Sequence, residues 1–320
     1  MGTLLSTLEE EEDLNWRLRL VQPGRVFASV AGARWGELIL PAAAERRAAM
    51  PEAMRVVMFA SFEYGYLALE AARAFAQRFP EKLFLAALVT DDPVNPEARI
   101  GLKKRIWKYL GTGERVHVET AVVDSALAGG MDVFTGEVKV DGFRQRLGTW
   151  RPDAIINCVF GQVIDAPIIQ APPLGIYNFH PSDLAHGHGA GHSPYEDLVA
   201  RGATETVWSI HHVTEVVDGG AVVGHSPPIN VAHPDGTLPA NPLLLYDKLM
   251  DPVGWLMLRL LSALTDRYAA GATGPIQKLD FESGMPPGLR ARIAAPQVAT
   301  EHQDVLPVLG EEERATLGLA

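Results

Sequence analysis

Cysteine is almost missing from this chain: Cys158 is the only one among 320 residues. No intrachain disulfide can form, and a cage of several thiolates around zinc is excluded. Positive charge is also scarce, with 28 Lys and Arg against 39 Asp and Glu and a net charge of -11. A sequence-independent grip on phosphate backbones needs clustered Lys and Arg, so nucleic acid is not an expected partner. The one short basic run, Lys103, Lys104 and Arg105, is read as a solvated helix face. No apolar stretch is long enough to span a bilayer, since "VGWLMLRLLSAL" is short and interrupted by Arg259. The opening "MGTLLSTLEEEEDLNW" puts an acidic run where a secretory leader needs a basic patch and an apolar core. These absences together make a reducing cytoplasm the expected compartment, with no membrane partner.

Two nucleotide signatures are lacking as well. The turn after the first buried run, "FASFEYGYLALE", has no G-x-G-x-x-G for a dinucleotide pyrophosphate, and no G-x-x-x-x-G-K-[ST] loop occurs.

With 47% hydrophobic and 21% charged residues, the chain reads as globular. "MRVVMFA" from Met54 is a continuous apolar run suited to a strand buried on both faces, and "YLALEAARAFAQRF" follows with helical spacing. "KLFLAALVTDD" reads as a second buried strand, "VHVETAVV" as a third with alternation, and "RPDAIINCVFG" as a fourth after a helical stretch near residues 137 to 149. Strands alternating with helices predict an α/β fold with a mostly parallel sheet and helices on both faces. "SPYEDLVARG" is punctuated as a helix by Ser193, Pro194, Glu196 and Gly202. "TVWSIHHVTEVVDGG" reads as a strand entering a turn, and "NPLLLYDKLM" and "VGWLMLRLLSALTDRY" as apolar helices parted by Pro252. The expected organisation is an N-terminal extension (1–52), a catalytic domain (53–270) and a C-terminal extension (271–320). Within its apolar run Cys158 is read as a small core residue.

The stretch "NFHPSDLAHGHGAGHSPYEDL" gathers four of the ten histidines. Asn178 and His180 stand at i and i+2, which puts amide and imidazole on one side of an extended segment. Asp218 ends the later predicted strand, just before Gly219 and Gly220. Should the two segments lie side by side at the carboxyl ends of adjacent strands, the three groups converge where open α/β sheets bind ligands. Taken singly, each has a plainer use: Asn178 as a turn cap, His180 as core, Asp218 as the usual residue before a glycine turn.

"RPDAIINCVFGQVIDAPIIQAPPLGIYNFHPSDL" and "GATETVWSIHHVTEVVDGG" together resemble the formyltransferase domain of 10-formyltetrahydrofolate-dependent enzymes. That family includes methionyl-tRNA, glycinamide ribonucleotide and sugar N-formyltransferases and formyltetrahydrofolate hydrolase. The resemblance covers roughly residues 54 to 265 and implies a Rossmann-like sheet. It further implies a catalytic Asn178, His180 and Asp218, with 10-formyltetrahydrofolate as donor and no metal. By the same resemblance Val159, Phe160, Gly161 and Ile164 line the folate groove, faced by the Thr214 to Asp218 loop, in which Thr214 and Val217 are the expected contacts. Ordinary core packing is the other use open to Val159 and Ile164.

The run "HGHGAGH" departs from the family pattern, which has a shorter turn there. His186, His188 and His192 could hold zinc, or iron with Asp183, but interleaved glycines supply flexibility where a metal needs fixed ligands. They are read instead as part of the acceptor pocket, binding a carboxylate, phosphate or hydroxyl; a mobile loop without a ligand is the remaining option. His211 and His212 fall on opposite faces of one strand, so at most one faces the site. Neither the glycinamide ribonucleotide phosphate loop nor the large C-terminal barrel of the tRNA enzymes is recognisable, which leaves a small-molecule primary amine as the expected acceptor. A homodimer is compatible with this reading. Hydrolysis of the formyl donor and noncatalytic folate binding are the rival functions.

Overall fold

The computed structural model describes residues 20, 22–91, 109–191, 194–302 and 306–318. Its sheet grows outward from the first apolar run. The strands are β1 (Val26–Ala28), β2 (Gly36–Leu40), β3 (Met54–Ala60), β4 (Leu83–Thr90), β5 (Asp132–Gly136), β6 (Ala154–Cys158), β7 (Ile176–His180), β8 (Glu205–Thr206), β9 (Ser209–His212), β10 (Val222–His225) and β11 (Ile229–Asn230). Nine of them form one sheet in the order β1-β2-β5-β4-β3-β6-β7-β9-β10, and β8 pairs with β11 separately.

The central five, β5-β4-β3-β6-β7, run parallel, and antiparallel strands extend the sheet at either side. Both faces are covered. Met54, Val56, Met58 and Ala60 belong to one apolar cluster, with Leu67, Ala71 and Phe75 of the helix Phe62–Arg78 and Leu256 and Leu260 of the helix Val253–Ala269. Val57 and Phe59 belong to the other, with Phe143, Leu147 and Trp150 of the helix Asp141–Trp150. Successive residues of β3 thus feed opposite faces, which explains why it is apolar without a break from Val56 to Ala60.

One predicted strand is a helix. "VHVETAVV" lies within Thr112–Ala128, and the third strand of the parallel set is Asp132–Gly136. The alternation of Val116 and Val118 spans too few residues to set the period. Buried Val116, Glu119, Val122, Val123, Ala126 and Leu127 recur at three and four, the helical spacing.

Both extensions touch the sheet. The β1–β2 hairpin pairs with β5, and the nearly buried Arg25 bonds Glu45 at 2.6 Å and Asp124 at 2.8 Å. On the far side Leu279 N donates to Val223 O at 2.9 Å. Among the described residues no helix is long and apolar enough to cross a membrane. Lys103, Lys104, Arg105, His192 and Ser193 lie outside the described residues.

Candidate active site

From β3 the chain builds first toward β4 and β5, then returns to add β6 and β7 on the other side. Connections leave in opposite directions at β3 and β6, which opens a crevice beyond their carboxyl ends. A cleft of about 210 Å³ lies there, on the β6 and β7 side.

The register carries polar groups across its floor. Phe59 of β3 is opposite Asn157 of β6, Asn157 opposite Asn178 of β7, and Asn178 opposite His211 of β9. Neighbours in register share a sheet face, so an apolar row becomes polar at Asn157. Two residues beyond Asn178, His180 is opposite Ser209. Asp218 arrives from the turn after β9. That turn requires its second glycine, because a Cβ at Gly220 would collide with the His212 carbonyl oxygen.

The three groups singled out by the sequence meet. His180 Nε2 is 3.1 Å from Asp218 Oδ2, and Asn178 Nδ2 donates to Asp218 Oδ1 at 3.4 Å. Gly191 N donates to Asp218 Oδ2 at 2.8 Å. Burial holds the His180 ring down to about 4, with the Asp218 charge opposing and His211 reinforcing the shift, so the ring is neutral at neutral pH. Its Nε2 faces two acceptors, Asp218 Oδ2 and the Gly191 carbonyl at 3.3 Å. We therefore place the ring proton on Nε2; Nδ1 lies 3.1 Å from the Ser182 hydroxyl, whose proton is shared with the His188 carbonyl at 3.0 Å. Burial alone would raise the Asp218 carboxyl, but His211, His180 and the Gly191 N–H outweigh it and keep Asp218 below its ordinary value.

His211 is the neighbour that sequence left half-resolved. Its Nδ1 lies 2.9 Å from the His212 carbonyl oxygen and must donate to it. With the ring proton on Nδ1, Nε2 can accept from Asn178 Nδ2 at 2.8 Å. Asp218 Oδ1 is farther from it, at 3.5 Å. His212 points to the other face and bonds the Ile276 carbonyl at 2.8 Å. Opposite faces were legible from strand period; which face held the site was not.

Val159, Phe160, Gly161, Ile164, Thr214 and Val217 all line the cleft. The 159–161 loop is pinned by Gly161 N donating to Asp91 Oδ2 at 2.6 Å. Val159 has φ of 57° and Asp218 φ of 52°. A β-branched residue in the left-handed region is strained, and such strain gathers at functional sites. Val163, Val216 and Val217, each at least half exposed, form an apolar lip.

The histidine run behaves differently. His186 is exposed and bonds Asp183 at 2.8 Å, His188 stacks near it at 6.4 Å, and neither lines the cleft. Among the described residues no group of three or more His, Cys, Asp or Glu is arranged to hold a metal. Cys158 is fully buried and its thiol is pushed well up by desolvation, as befits a core residue.

The opposite wall was missed: Tyr109, Tyr195, Tyr246 and Glu196 line it. Tyr195 and Tyr246 meet edge to face at 4.1 Å. Apolar patterning marks such tyrosines as core, and nothing local tells a core ring from one at a cleft rim.

Residues 136–237 match the family model described as Formyl transferase. Methionyl-tRNA formyltransferase of Synechococcus sp. (strain CC9311) is 32% identical over 154 residues, 47% of this chain and 44% of that protein. The enzyme of the same name from Kosmotoga olearia is 30% identical over 125 residues, 38% of this chain and 39% of its own. The chain thus spans less than half the length of these two relatives. Glycinamide ribonucleotide transformylase 1 from Symbiobacterium toebii superposes with a TM-score of 0.48 and 17% identity over 69% of this chain and 90% of that one. Asn178, His180 and the Asp218 turn all fall inside the segment that matches the formyl transferase model.

Proposed function

We propose that the chain transfers a formyl group from 10-formyltetrahydrofolate to a primary amine of a small-molecule acceptor. The observation that carries this is the contact of Asn178, His180 and Asp218 at one cleft inside the matched segment.

The donor's pterin suits the groove formed by Val159, Phe160, Gly161 and Ile164 with Thr214 and Val217 opposite, and the lip of Val163 and Val216 suits its aryl portion. When bound, 10-formyltetrahydrofolate supplies a formyl carbon open to attack. In the transfer a bond forms between amine nitrogen and formyl carbon, and the bond from that carbon to the folate nitrogen breaks. The amine gives up a proton and the folate nitrogen gains one. Asp218, held as a carboxylate, is the group to accept the amine proton, directly or through water. The neutral His180 ring, fixed by Ser182 and Asp218, presents an N–H beside it. Asn178 keeps one amide N–H on His211, and its second, only loosely held at 3.4 Å from Asp218, is the one left to meet the formyl oxygen.

A small amine is favoured by the far wall. The fixed charges on the described lining are the carboxylates of Glu196 and Asp218, set beside Tyr109, Tyr195 and Tyr246. Carboxylates and aromatic faces attract a cationic amine and repel phosphate. His186 and His188, outside the cleft, are assigned no contact with the acceptor's reacting end. The relatives' names favour a second reading, methionyl-tRNA as acceptor.

The test is incubation with 10-formyltetrahydrofolate, following tetrahydrofolate release with amino sugars, amino acids or methionyl-tRNA present. Release that depends on a small amine is expected. Dependence on methionyl-tRNA would transfer the assignment to the second reading, and release without any amine would make the protein a hydrolase. Binding without turnover would leave a folate-binding protein. Asp218→Asn is expected to fold normally and lose at least about 100-fold in turnover; near-normal activity would remove Asp218 from this role.

A further inference from the structure

Asn157 has no place in the arrangement so far, yet it sits in the floor of the cleft. It belongs to a strand, "AIINC", in which every residue is buried, and it is itself only 7% exposed. Its Oδ1 is sealed from solvent without a hydrogen-bond partner among the described residues. Its Nδ2 makes no hydrogen bond to them either, but is not sealed in, and the residue lines the cleft. A buried carboxamide without partners costs free energy that a leucine in the same strand would not. The group is therefore placed for something the folded chain does not itself supply.

Position says what. Asn157 and Asn178 are register partners on adjacent parallel strands, so their amides enter the cleft side by side. Asn178 Nδ2 is already engaged by His211 at 2.8 Å and Asp218 at 3.4 Å. The carboxamide with both N–H bonds open is that of Asn157. Growing negative charge on a carbonyl oxygen is best met by preorganised donors that need no rearrangement as the reaction proceeds. We propose that Asn157 is a second catalytic carboxamide, donating to the formyl oxygen beside Asn178. The inference rests on the formyl-transfer reading above and adds to it a residue outside the Asn178, His180 and Asp218 set.

Asn157→Leu keeps volume and removes the donor. With both substrates saturating, kcat is expected to fall about 100-fold, the scale of losing one donor to a developing oxyanion. Affinity for tetrahydrofolate, which lacks the formyl group, is expected to stay the same, and the melting temperature to hold or rise. Should leucine not fold, Asn157→Val repeats the measurement. A second readout is the infrared stretch of a ¹³C-labelled formyl donor bound to the Asp218→Asn variant, which slows turnover. Adding Asn157→Leu is expected to move that band to higher frequency as the hydrogen bond is lost. Equal kcat in Asn157→Leu and wild type, an unmoved band, or a loss confined to tetrahydrofolate affinity would each overturn the assignment. A wild-type chain that neither binds 10-formyltetrahydrofolate nor releases tetrahydrofolate from it would instead bring down the transfer reading, and this inference with it.

Discussion

At the scale of single residues, the His180 ring shows how burial sets chemistry. An imidazole titrating near its ordinary 6.5 would be partly charged at neutral pH; buried beside Asp218, it protonates only near 4. Between those values the unfolded chain binds more protons than the folded one, so stability falls as pH is lowered from about 6.5 toward 4. The full effect of this one ring is on the order of 3 kcal/mol. Asp218 works in a separate window. Its carboxyl lies below its ordinary 3.8, so the stability it contributes is intact above that value and is lost only at lower pH. Urea unfolding between pH 7 and 4.5 is expected to show a steep decline that His180→Gln flattens. Equal slopes in the two proteins would mean that the ring is not held neutral by the fold. The sequence revealed this pair through Asn178-x-His180 and the Asp218-Gly219-Gly220 turn. It could not reveal Asn157, because an asparagine inside "DAIINCVF" looks the same whether it faces a cleft or the core. Nor could it separate His211 from His212, since period fixes alternation and not which face is occupied.

At the scale of elements, the turn after β9 delivers Asp218, and its two glycines are not equivalent. A Cβ on Gly219 meets mainly Val216, whose side chain is exposed and able to move; one on Gly220 meets the His212 backbone. His212 N also accepts no freedom there, since it donates to Ala221 O at 3.0 Å and closes the hairpin. Gly220→Ala is therefore expected to cost at least about 2 kcal/mol and to lower activity by displacing Asp218, while Gly219→Ala costs less. Thermal melting and turnover of the two variants check this, and equal losses would show that the turn tolerates a shifted backbone. Elements with a clear period were legible: β3 and the helices on either side of Pro252 follow from apolar spacing alone. "VHVETAVV" was not, because four alternating positions fit both periods and the register of the longer helix shows only over Val116 to Leu127. The "HGHGAGH" loop drew attention by composition. Composition does not say where a glycine-rich loop points, and His186 and His188 stand outside the lining.

For the whole molecule, the question is whether the stretches flanking residues 53–270 are appendages. We propose that the catalytic unit depends on them, because each is bonded to a strand the site needs. Ile276 ties two such strands, its N–H accepted by Tyr177 Oη at 2.8 Å and its carbonyl bonded to His212 at 2.8 Å. Leu279 pairs with Val223 of β10, Trp255 Nε1 donates to Phe281 O at 2.8 Å, and Gln297 N donates to Ala232 O at 2.7 Å. Phe281, Met285, Leu289 and Ile293 are buried against the same core as the helix Val253–Ala269. None of this has a sequence period: the segment is rich in Pro, Gly and Ala, and its links run through backbone groups and lone side chains that no local pattern predicts. Removing residues 271–320 leaves the His212 ring and the edge of β10 without these partners, at an expected cost of about 1 kcal/mol or more for each buried group left unpaired. Loss of the apolar residues adds about 1.5 to 3 kcal/mol for each large side chain no longer buried. Together these exceed the ~5–15 kcal/mol by which a domain is ordinarily stable, or consume most of it. A chain ending at Ala270 is accordingly expected to be insoluble or to melt without cooperativity, and to lose turnover even though Asn178, His180 and Asp218 are all retained. A truncated protein with a sharp melt and unchanged kcat would show instead that residues 53–270 form a self-sufficient domain, on which the C-terminal stretch merely rests.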